Sequence, residues 1–277
     1  MMGEALALFS AFCWALNGTI YKIGLRYGDI VSANFVRVTL TALGFFSIIL
    51  VEGDLPKILS TPKWIWLLLF VSAIFAFFIG DMLYMESIMR CGISRAVPLS
   101  STYPLFVSLW SAILFERVQP NVVIGAILII LAIWLIVGED GKYDLLGYSM
   151  ALGGAIFWSF SIMIVKILTF YLPPEAIAGF RFAVVSVVLL PIALGRDFNL
   201  KCVKWMSLSS LIMVLGNYAF VMALSLASAT IVSTLSALYP IIAQFLALGV
   251  RERITLRVLI GTLIAFLGVV STTLITV

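Results

Sequence analysis

The second half of the chain repeats the first, and this repeat constrains the fold more than any other feature of the sequence. At a shift of 144 residues the recurring positions are Gly3 with Gly147, Trp14 with Trp158, Lys22 with Lys166, and Arg37 with Arg181. At a shift of 136 residues they are Gly80 with Gly216, Tyr103-Pro104 with Tyr239-Pro240, Glu116-Arg117 with Glu252-Arg253, and Gly125 with Gly261. The sequence therefore predicts two similar units, residues 1–140 and 145–277.

The composition places both units in a lipid bilayer. Hydrophobic residues make up 63% of the chain and charged residues 11%, whereas soluble domains have roughly 45–50% and about 25%. A membrane span needs about 20 residues, so 277 residues hold ten spans with short connections and no soluble domain. The basic residues punctuate apolar segments, which gives no support to nucleic-acid binding.

Charged or turn-forming breaks divide the chain into ten apolar segments. They cover approximately 5–25, 30–51, 64–89, 96–115, 121–138, 145–169, 175–194, 205–226, 229–250 and 256–276. The segments are too long for barrel strands and lack their alternation, so an all-α protein with ten transmembrane helices is predicted. Five helices per unit is an odd number, so the second unit is inverted relative to the first. Inverted repeats are typical of transporters with a site near the membrane midplane.

The loop charges predict an orientation. The loops after odd-numbered helices contain ten basic residues, namely Arg26, Arg90, Arg95, Lys142, Arg196, Lys201, Lys204, Arg251, Arg253 and Arg257. The other loops contain three, namely Lys57, Lys63 and Arg117. The positive-inside rule then places both termini outside.

Several kinds of chemistry receive no support. The chain has no histidine, and Cys13, Cys91 and Cys202 are scattered without a CxxC pair. No metal site, cofactor or disulfide framework is therefore expected. An enzyme is not expected either, because there is no GxSxG motif and no pair of intramembrane carboxylates.

Asp81 is the most specific single candidate for function, because it lies deep within the third segment. A carboxylate at that depth costs about 2.5–3.5 kcal/mol and is rarely kept without a partner or a task. It could bind a substrate ammonium group or take up a coupling proton. The alternative is an ion pair with a buried Lys or Arg that only fixes helix packing. Its repeat equivalent, Asn217, keeps the polarity without the charge.

The first segment carries a polar and aromatic stripe. Ser10, Trp14, Asn17 and Tyr21 are spaced by four, three and four residues, which places them on one helix face. Such a face should line a cavity rather than contact lipid. Because Trp158 repeats Trp14, two rings are predicted on opposite walls of a central pocket, although both could simply pack between helices.

The repeated basic and Tyr-Pro positions suggest shared machinery. Lys22 and Lys166 lie at helix ends, whereas Arg37 and Arg181 lie one to two turns inside their helices. The lysines could snorkel to the membrane interface, and the arginines could hold helix termini or bind substrate directly. All four could gate the protein or bind an anion. Proline in Tyr103-Pro104 and Tyr239-Pro240 is predicted to bend the fourth and ninth helices.

These features together resemble the EamA family of the drug/metabolite transporter superfamily. The resemblance rests on the Phe12–Asn17 motif, Arg37, Gly92–Ala96, Tyr103-Pro104-Leu105, and Glu116 followed by Gly125. It implies a ten-helix carrier that moves small metabolites such as amino acids, often outward, through a central cavity in the cytoplasmic membrane. It also implies cytoplasmic termini, which contradicts the loop charges; we favour the family topology.

The sequence thus predicts a secondary transporter, working as a monomer or homodimer, with the proton as a candidate coupling ion. The predicted binding residues are Trp14, Asn17, Tyr21, Asp81, Tyr84, Tyr103, Trp158, Asn217 and Tyr239. The alternative is a nucleotide-sugar or sugar-phosphate antiporter that uses Lys22, Arg37, Lys166 and Arg181 to hold phosphates. Basic residues in the cavity would favour an anionic cargo, and Asp81 alone would favour a cationic or zwitterionic one.

Overall fold

The structure, a computed structural model, describes residues 2–53, 55–114, 120–137, 144–250 and 254–271, and throughout these ranges the regular secondary structure is helical. The repeated Glu116-Arg117 and Glu252-Arg253 pairs lie outside the described residues, as do Lys142 and Arg251 of the loop count.

The helices overlap the predicted segments, except for Leu55–Leu59, which lies in a predicted connection. They are α1 (Met2–Gly24), α2 (Ile30–Glu52), α3 (Leu55–Leu59), α4 (Lys63–Ala73), α5 (Asp81–Cys91), α6 (Ile93–Ser100), α7 (Tyr103–Leu114), α8 (Pro120–Val137), α9 (Leu145–Leu168), α10 (Pro174–Ala193), α11 (Leu200–Leu226), α12 (Ala229–Ser236), α13 (Tyr239–Gly249) and α14 (Leu256–Ser271). A π-helical segment, Ile74–Gly80, joins α4 to α5.

Seven helical runs in the described residues are long and apolar enough to cross a membrane. They are Met2–Gly24, Ile30–Glu52, Lys63–Cys91, Leu145–Leu168, Pro174–Ala193, Leu200–Leu226 and Ala229–Gly249. Two shorter apolar helices cover Ile124–Ile136 and Leu256–Ser271. The protein is thus an all-helical, multi-pass membrane protein. The arrangement of ten helices in two inverted repeats stays a prediction.

The prolines do not bend continuous helices as predicted. The chain breaks before each one, so that Pro104 and Pro240 lie in the first turns of α7 and α13. Proline suits this position, because its missing N–H would have no helical partner there and its fixed φ matches the helix. Each predicted bend is therefore a junction between two short helices.

Helices of the first half run antiparallel to helices of the second. Gly3, at the start of α1, packs against Leu226 and Ala227 at the end of α11, and Gly24, at the end of α1, packs against Trp205 near the start of α11. The same direction holds for α5 and α9, since Gly147 at the start of α9 contacts Arg90 at the end of α5. The close approach is possible because glycine has no side chain.

Two further pairs obey the same rule. Helix α10 runs antiparallel to α2, with Gly179 against Phe45 and the Ser186 and Thr39 hydroxyls 2.6 Å apart. Helix α14 runs antiparallel to α8, with Gly268 against Ile129. The core of the protein therefore forms along contacts between the two halves.

The connection from α1 to α2 ends in a helix cap formed by Asp29. Its Oδ1 accepts hydrogen bonds from the backbone N–H groups of Val31 at 2.9 Å and Ser32 at 3.1 Å, and Arg196 approaches the same oxygen at 3.3 Å. Partial burial raises the pKa of Asp29, but the hydrogen bonds from Ser32 and the Arg196 charge lower it more. The pKa therefore lies below its ordinary value of 3.8.

We expect Asp29→Ala to lower the free energy of unfolding by about 1 kcal/mol at pH 7, because two N–H groups of α2 lose their acceptor. The lowered pKa stabilises the fold above the ordinary pKa, and this contribution is lost as the pH falls through the folded-state value. Equilibrium unfolding in detergent should thus show the variant and wild type converging below pH 3.8. Asp29→Asn, which keeps a cap oxygen, should retain much of the stability at pH 7; an equal loss in both variants would contradict the cap.

Candidate functional site

One cavity lies between the two halves and brings together all nine residues predicted to bind cargo. Its lining includes Trp14, Asn17, Tyr21, Asp81, Tyr84, Tyr103, Trp158, Asn217 and Tyr239. The space between these side chains that protein atoms do not fill is about 730 Å³, and part of it is open to solvent. That these residues bind cargo stays a prediction.

Sequence reasoning missed several apolar or small residues of the lining. They are Ala76, Phe77, Ser161, Ile162, Val165, Met213 and Phe220. An apolar residue in an apolar helix carries no signal that distinguishes a cavity wall from a lipid-facing surface. The repeat gave a signal for three of them, since it pairs Phe220 with Tyr84, Ser161 with Asn17 and Val165 with Tyr21.

Aromatic rings form two related walls of the cavity. The ring of Trp14 lies 4.8 Å from Phe220 and 6.2 Å from Tyr239, measured between centroids. The ring of Trp158 lies 5.1 Å from Tyr84 and 6.4 Å from Tyr103. The repeat pairs Trp14 with Trp158, Phe220 with Tyr84, and Tyr239 with Tyr103. The two walls therefore come from equivalent positions of the two halves. Such walls suit an organic solute or a cation held over a ring face.

Asp81 is both a cavity residue and one partner of a buried ion pair. Its Oδ2 accepts a hydrogen bond from Arg37 Nη2 at 2.6 Å, and its Oδ1 accepts one from Trp158 Nε1 at 3.0 Å. Arg37 belongs to the first half and Trp158 to the second. The carboxylate thereby links the halves, and the ion-pair alternative drawn from the sequence is present in the fold.

Arg37 is completely buried and does not line the cavity. Besides Asp81, it donates to Asn34 Oδ1 from Nε at 3.2 Å and from Nη2 at 2.5 Å, and to the Tyr21 hydroxyl from Nη1 at 3.2 Å. Asn34 is held in turn by the Phe77 carbonyl at 2.9 Å. This network fixes the guanidinium behind the cavity wall, where it orients Asp81.

Arg181, the repeat equivalent of Arg37, lies in the cavity wall. Its Nη2 donates to Ser161 Oγ at 2.6 Å and to the Ser72 carbonyl at 3.4 Å, and its guanidinium carbon lies 4.6 Å from the centroid of Phe77. Both partners are uncharged. The two arginines therefore occupy equivalent sequence positions but different electrostatic environments.

The repeated lysines lie outside the cavity lining. Lys22 Nζ donates to the carbonyl of Ile88 at 3.0 Å, near the end of α5. Lys166 Nζ donates to the carbonyls of Leu224 at 2.6 Å and Ala227 at 2.9 Å, at the end of α11. A cation is favourable beside the free carbonyls at a helix C-terminus. The lysines thus hold helix C-termini, a role predicted from the sequence for Arg37 and Arg181.

The repeated glycines Gly80 and Gly216 allow the helices to reach the tryptophan walls. A Cβ atom at Gly80 would lie 2.7 Å from Trp158 Cδ1, and one at Gly216 would lie 2.8 Å from Cys13 Cβ, next to Trp14. Both separations are too short for a side chain. The sequence marked these glycines as recurrent without revealing this contact.

Helices of membrane-spanning length around a cavity with polar and aromatic walls define a multi-pass membrane protein of the solute-carrying class. The model of the EamA-like transporter family matches residues 1–138 and 145–274. The chain belongs to this family of transporters, which confirms the resemblance drawn from the motifs.

One relative agrees with this assignment, and one solved structure shares the fold. An uncharacterized transporter of Archaeoglobus fulgidus is 30% identical over 273 residues, with 97% of each chain covered. A solved crystal structure, 19% identical, superposes with a TM-score of 0.70 over 97% of this chain and 96% of its own. At that identity the second likeness concerns the fold alone.

Proposed function

We propose that the protein is a secondary transporter that exports small organic metabolites, such as amino acids, across the cytoplasmic membrane by alternating access. The observation that carries the proposal is the cavity between the halves, whose walls come from α1 and α5 with α9 and α11. A site shared between two repeats can open to either side of the membrane when the repeats move against each other.

The proposal includes two inverted five-helix repeats, residues 1–140 and 145–277. The antiparallel pairs described above support it, because α1 with α11 and α5 with α9 are exchanged by the repeat relation. The hydrogen bonds of Lys22 and Lys166 support the inverted repeats too. The Lys22 bond lies at the end of α1, and the Lys166 bonds lie at the end of α11. Because α1 and α11 are antiparallel, these are opposite ends of the pair, as equivalent positions of inverted units should be.

The positions of the basic residues favour a small cargo over a nucleotide sugar or sugar phosphate. A polyanionic cargo would need several basic groups in the cavity. Arg37 is turned to Asp81, and both repeated lysines are bonded to backbone carbonyls. Arg181 alone of the four lines the cavity.

For orientation we propose cytoplasmic termini, as the family resemblance implies. A reporter fused to the C-terminus that is active only in the cytoplasm should be active here. If a C-terminal reporter that works only outside the cytoplasm is active instead, the proposed orientation is wrong.

A screen of the purified protein against amino acids, polyamines, nucleosides and sugar phosphates tests the proposal. A ligand held at 100 times its dissociation constant should stabilise the protein by about 2.7 kcal/mol. The same solute should be exchanged by proteoliposomes. Ile162→Trp, which fills part of the cavity, should abolish both effects. Stabilisation that persists in this variant would place the binding site elsewhere.

A further inference from the structure

The two halves differ in how they neutralise a buried arginine. In the first half, Arg37 pairs with the Asp81 carboxylate at 2.6 Å. In the second half, Arg181 is only 4% exposed, yet among the described residues no carboxylate oxygen lies within 4.0 Å of it. Its Nε also lacks a hydrogen-bond partner there. A buried guanidinium without a counter-ion is strongly unfavourable.

The repeat explains why this counter-ion is missing. The position equivalent to Asp81 is Asn217, which lines the cavity and donates from Nδ2 to the Met213 carbonyl at 3.1 Å. Asp81 also attracts Arg181 electrostatically, but one carboxylate cannot neutralise two guanidinium groups. The cavity and the arginine behind it thus retain an excess of one positive charge.

Uncharged groups of the cavity also offer hydrogen-bond donors. Asn17 Nδ2 is buried with no hydrogen-bond partner among the described residues. Trp158 donates its indole N–H to Asp81, whereas Trp14, its repeat equivalent, makes only ring contacts within the described part of the chain. A cavity with spare donors and a positive charge is suited to an oxyanion.

We infer, building on the proposed transport function, that the cargo carries a carboxylate and that Arg181 binds it. A carboxylate has the single negative charge that the cavity lacks, and its planar geometry matches a guanidinium. A phosphate monoester at pH 7 carries about −1.5 to −2 charges and would leave the site negative. The carboxylate of the cargo neutralises Arg181 in the second half, as the Asp81 carboxylate neutralises Arg37 in the first. The aromatic walls hold the rest of the solute.

Matched acids and amides test this inference. The probes are L-alanine, L-phenylalanine and phenylacetate, the primary amide of each, and phenyl phosphate, measured by binding to the purified protein and by proteoliposome exchange. At least one acid should bind, and its amide should bind at least about 30-fold more weakly, because the amide lacks the charge that Arg181 pairs with.

Three variants separate charge from fold. Arg181→Met should weaken binding of the acid at least about 30-fold and leave that of the amide unchanged, while Arg181→Lys should keep most of the acid affinity. Asn217→Asp supplies a carboxylate from the protein and should weaken acid binding about tenfold or more by like-charge repulsion. Arg90→Met, at an exposed helix end, is the control and should bind like wild type.

The outcomes distinguish failure of the carboxylate inference from failure of the proposed transport function. If amides bind and are exchanged as well as acids, and Arg181→Met changes neither, the protein is a transporter but the carboxylate inference is wrong. Binding of phenyl phosphate without binding of any acid would also overturn it. If no probe binds and no solute from the broader screen is exchanged, the proposed function fails and this inference fails with it.

Discussion

Asp81→Ala is expected to lower the free energy of unfolding by about 3–5 kcal/mol, the largest effect of any single substitution considered. Removing the carboxylate leaves Arg37, which is 0% exposed, without its counter-ion, and breaking a buried ion pair by removing one partner has this magnitude. Trp158 also loses its acceptor at 3.0 Å. Equilibrium unfolding in mixed detergent micelles measures the difference.

The matched control for this prediction is Glu86→Ala, five residues further along α5. Glu86 pairs with Arg90 at 2.8 Å, but both side chains are about one-third exposed, so the loss should be less than about 1 kcal/mol. Similar losses for the two variants would show that the Asp81 pair is not electrostatically special.

Asp81→Asn separates stability from coupling. The amide preserves the shape and one acceptor oxygen but removes the counter-ion of Arg37, so the variant should be destabilised less than Asp81→Ala. It cannot exchange a proton. If Asp81 couples proton movement to transport, the variant should lose the pH dependence of transport by proteoliposomes. Transport at the wild-type rate with unchanged pH dependence would show that Asp81 is structural only.

Gly80→Ala is expected to abolish transport and to destabilise the protein by about 1–3 kcal/mol, as overpacking of a close contact does. The added Cβ would meet Trp158 Cδ1 and Nε1 at 2.7 Å and the Phe75 carbonyl at 2.9 Å. Trp158 must then leave Asp81, and one aromatic wall of the cavity is displaced. Exchange by proteoliposomes and unfolding measured on the same preparation test both effects.

Gly249→Ala is the control for this substitution, because no atom of the described residues lies within 4 Å of a Cβ at that position. Alanine is favoured over glycine in a helix by about 1 kcal/mol, so this variant should be as stable as wild type or slightly more so. A Gly80→Ala protein that transports normally would mean that the Trp158 wall is not required.

The sequence predicted the cavity because its polar residues stand out against apolar helices. Asn17 and Asp81 are costly in a membrane, so their presence indicated an interior surface before any packing was known. The spacing of Trp14 and Tyr21 placed them on the face of Asn17. For such residues, composition and helical periodicity are sufficient.

The pairing of groups between helices could not be predicted in the same way. Nothing in the sequence indicates that Asp81 contacts Arg37 rather than Arg181, because the choice depends on how α2, α5 and α10 pack. The repeat presented the two arginines as equivalent. The structure separates them, and the Asp81 and Asn217 mismatch was the only signal of that difference.

The proline positions show a second kind of limit in sequence reasoning. Proline inside an apolar segment is compatible with a bend in one helix or with a junction between two. The first-turn position of Pro104 and Pro240 depends on tertiary contacts, such as the Tyr103 hydroxyl donating to the Ser233 carbonyl at 3.0 Å. Tyr103 and Ser233 are 130 residues apart in sequence, so their contact cannot be predicted from local sequence.

The most direct test of alternating access is the labelling of a single cysteine in the cavity. In a protein with Cys13, Cys91 and Cys202 replaced by alanine, Ile162→Cys places a thiol in the cavity wall, and Leu211→Cys, at a position 68% exposed on the helix surface, is the control. We predict that a membrane-impermeant thiol reagent labels Ile162→Cys from either side of the membrane, in proportions that a bound cargo changes, and leaves Leu211→Cys unlabelled. Labelling of Ile162→Cys from one side only, with or without cargo, would contradict the account.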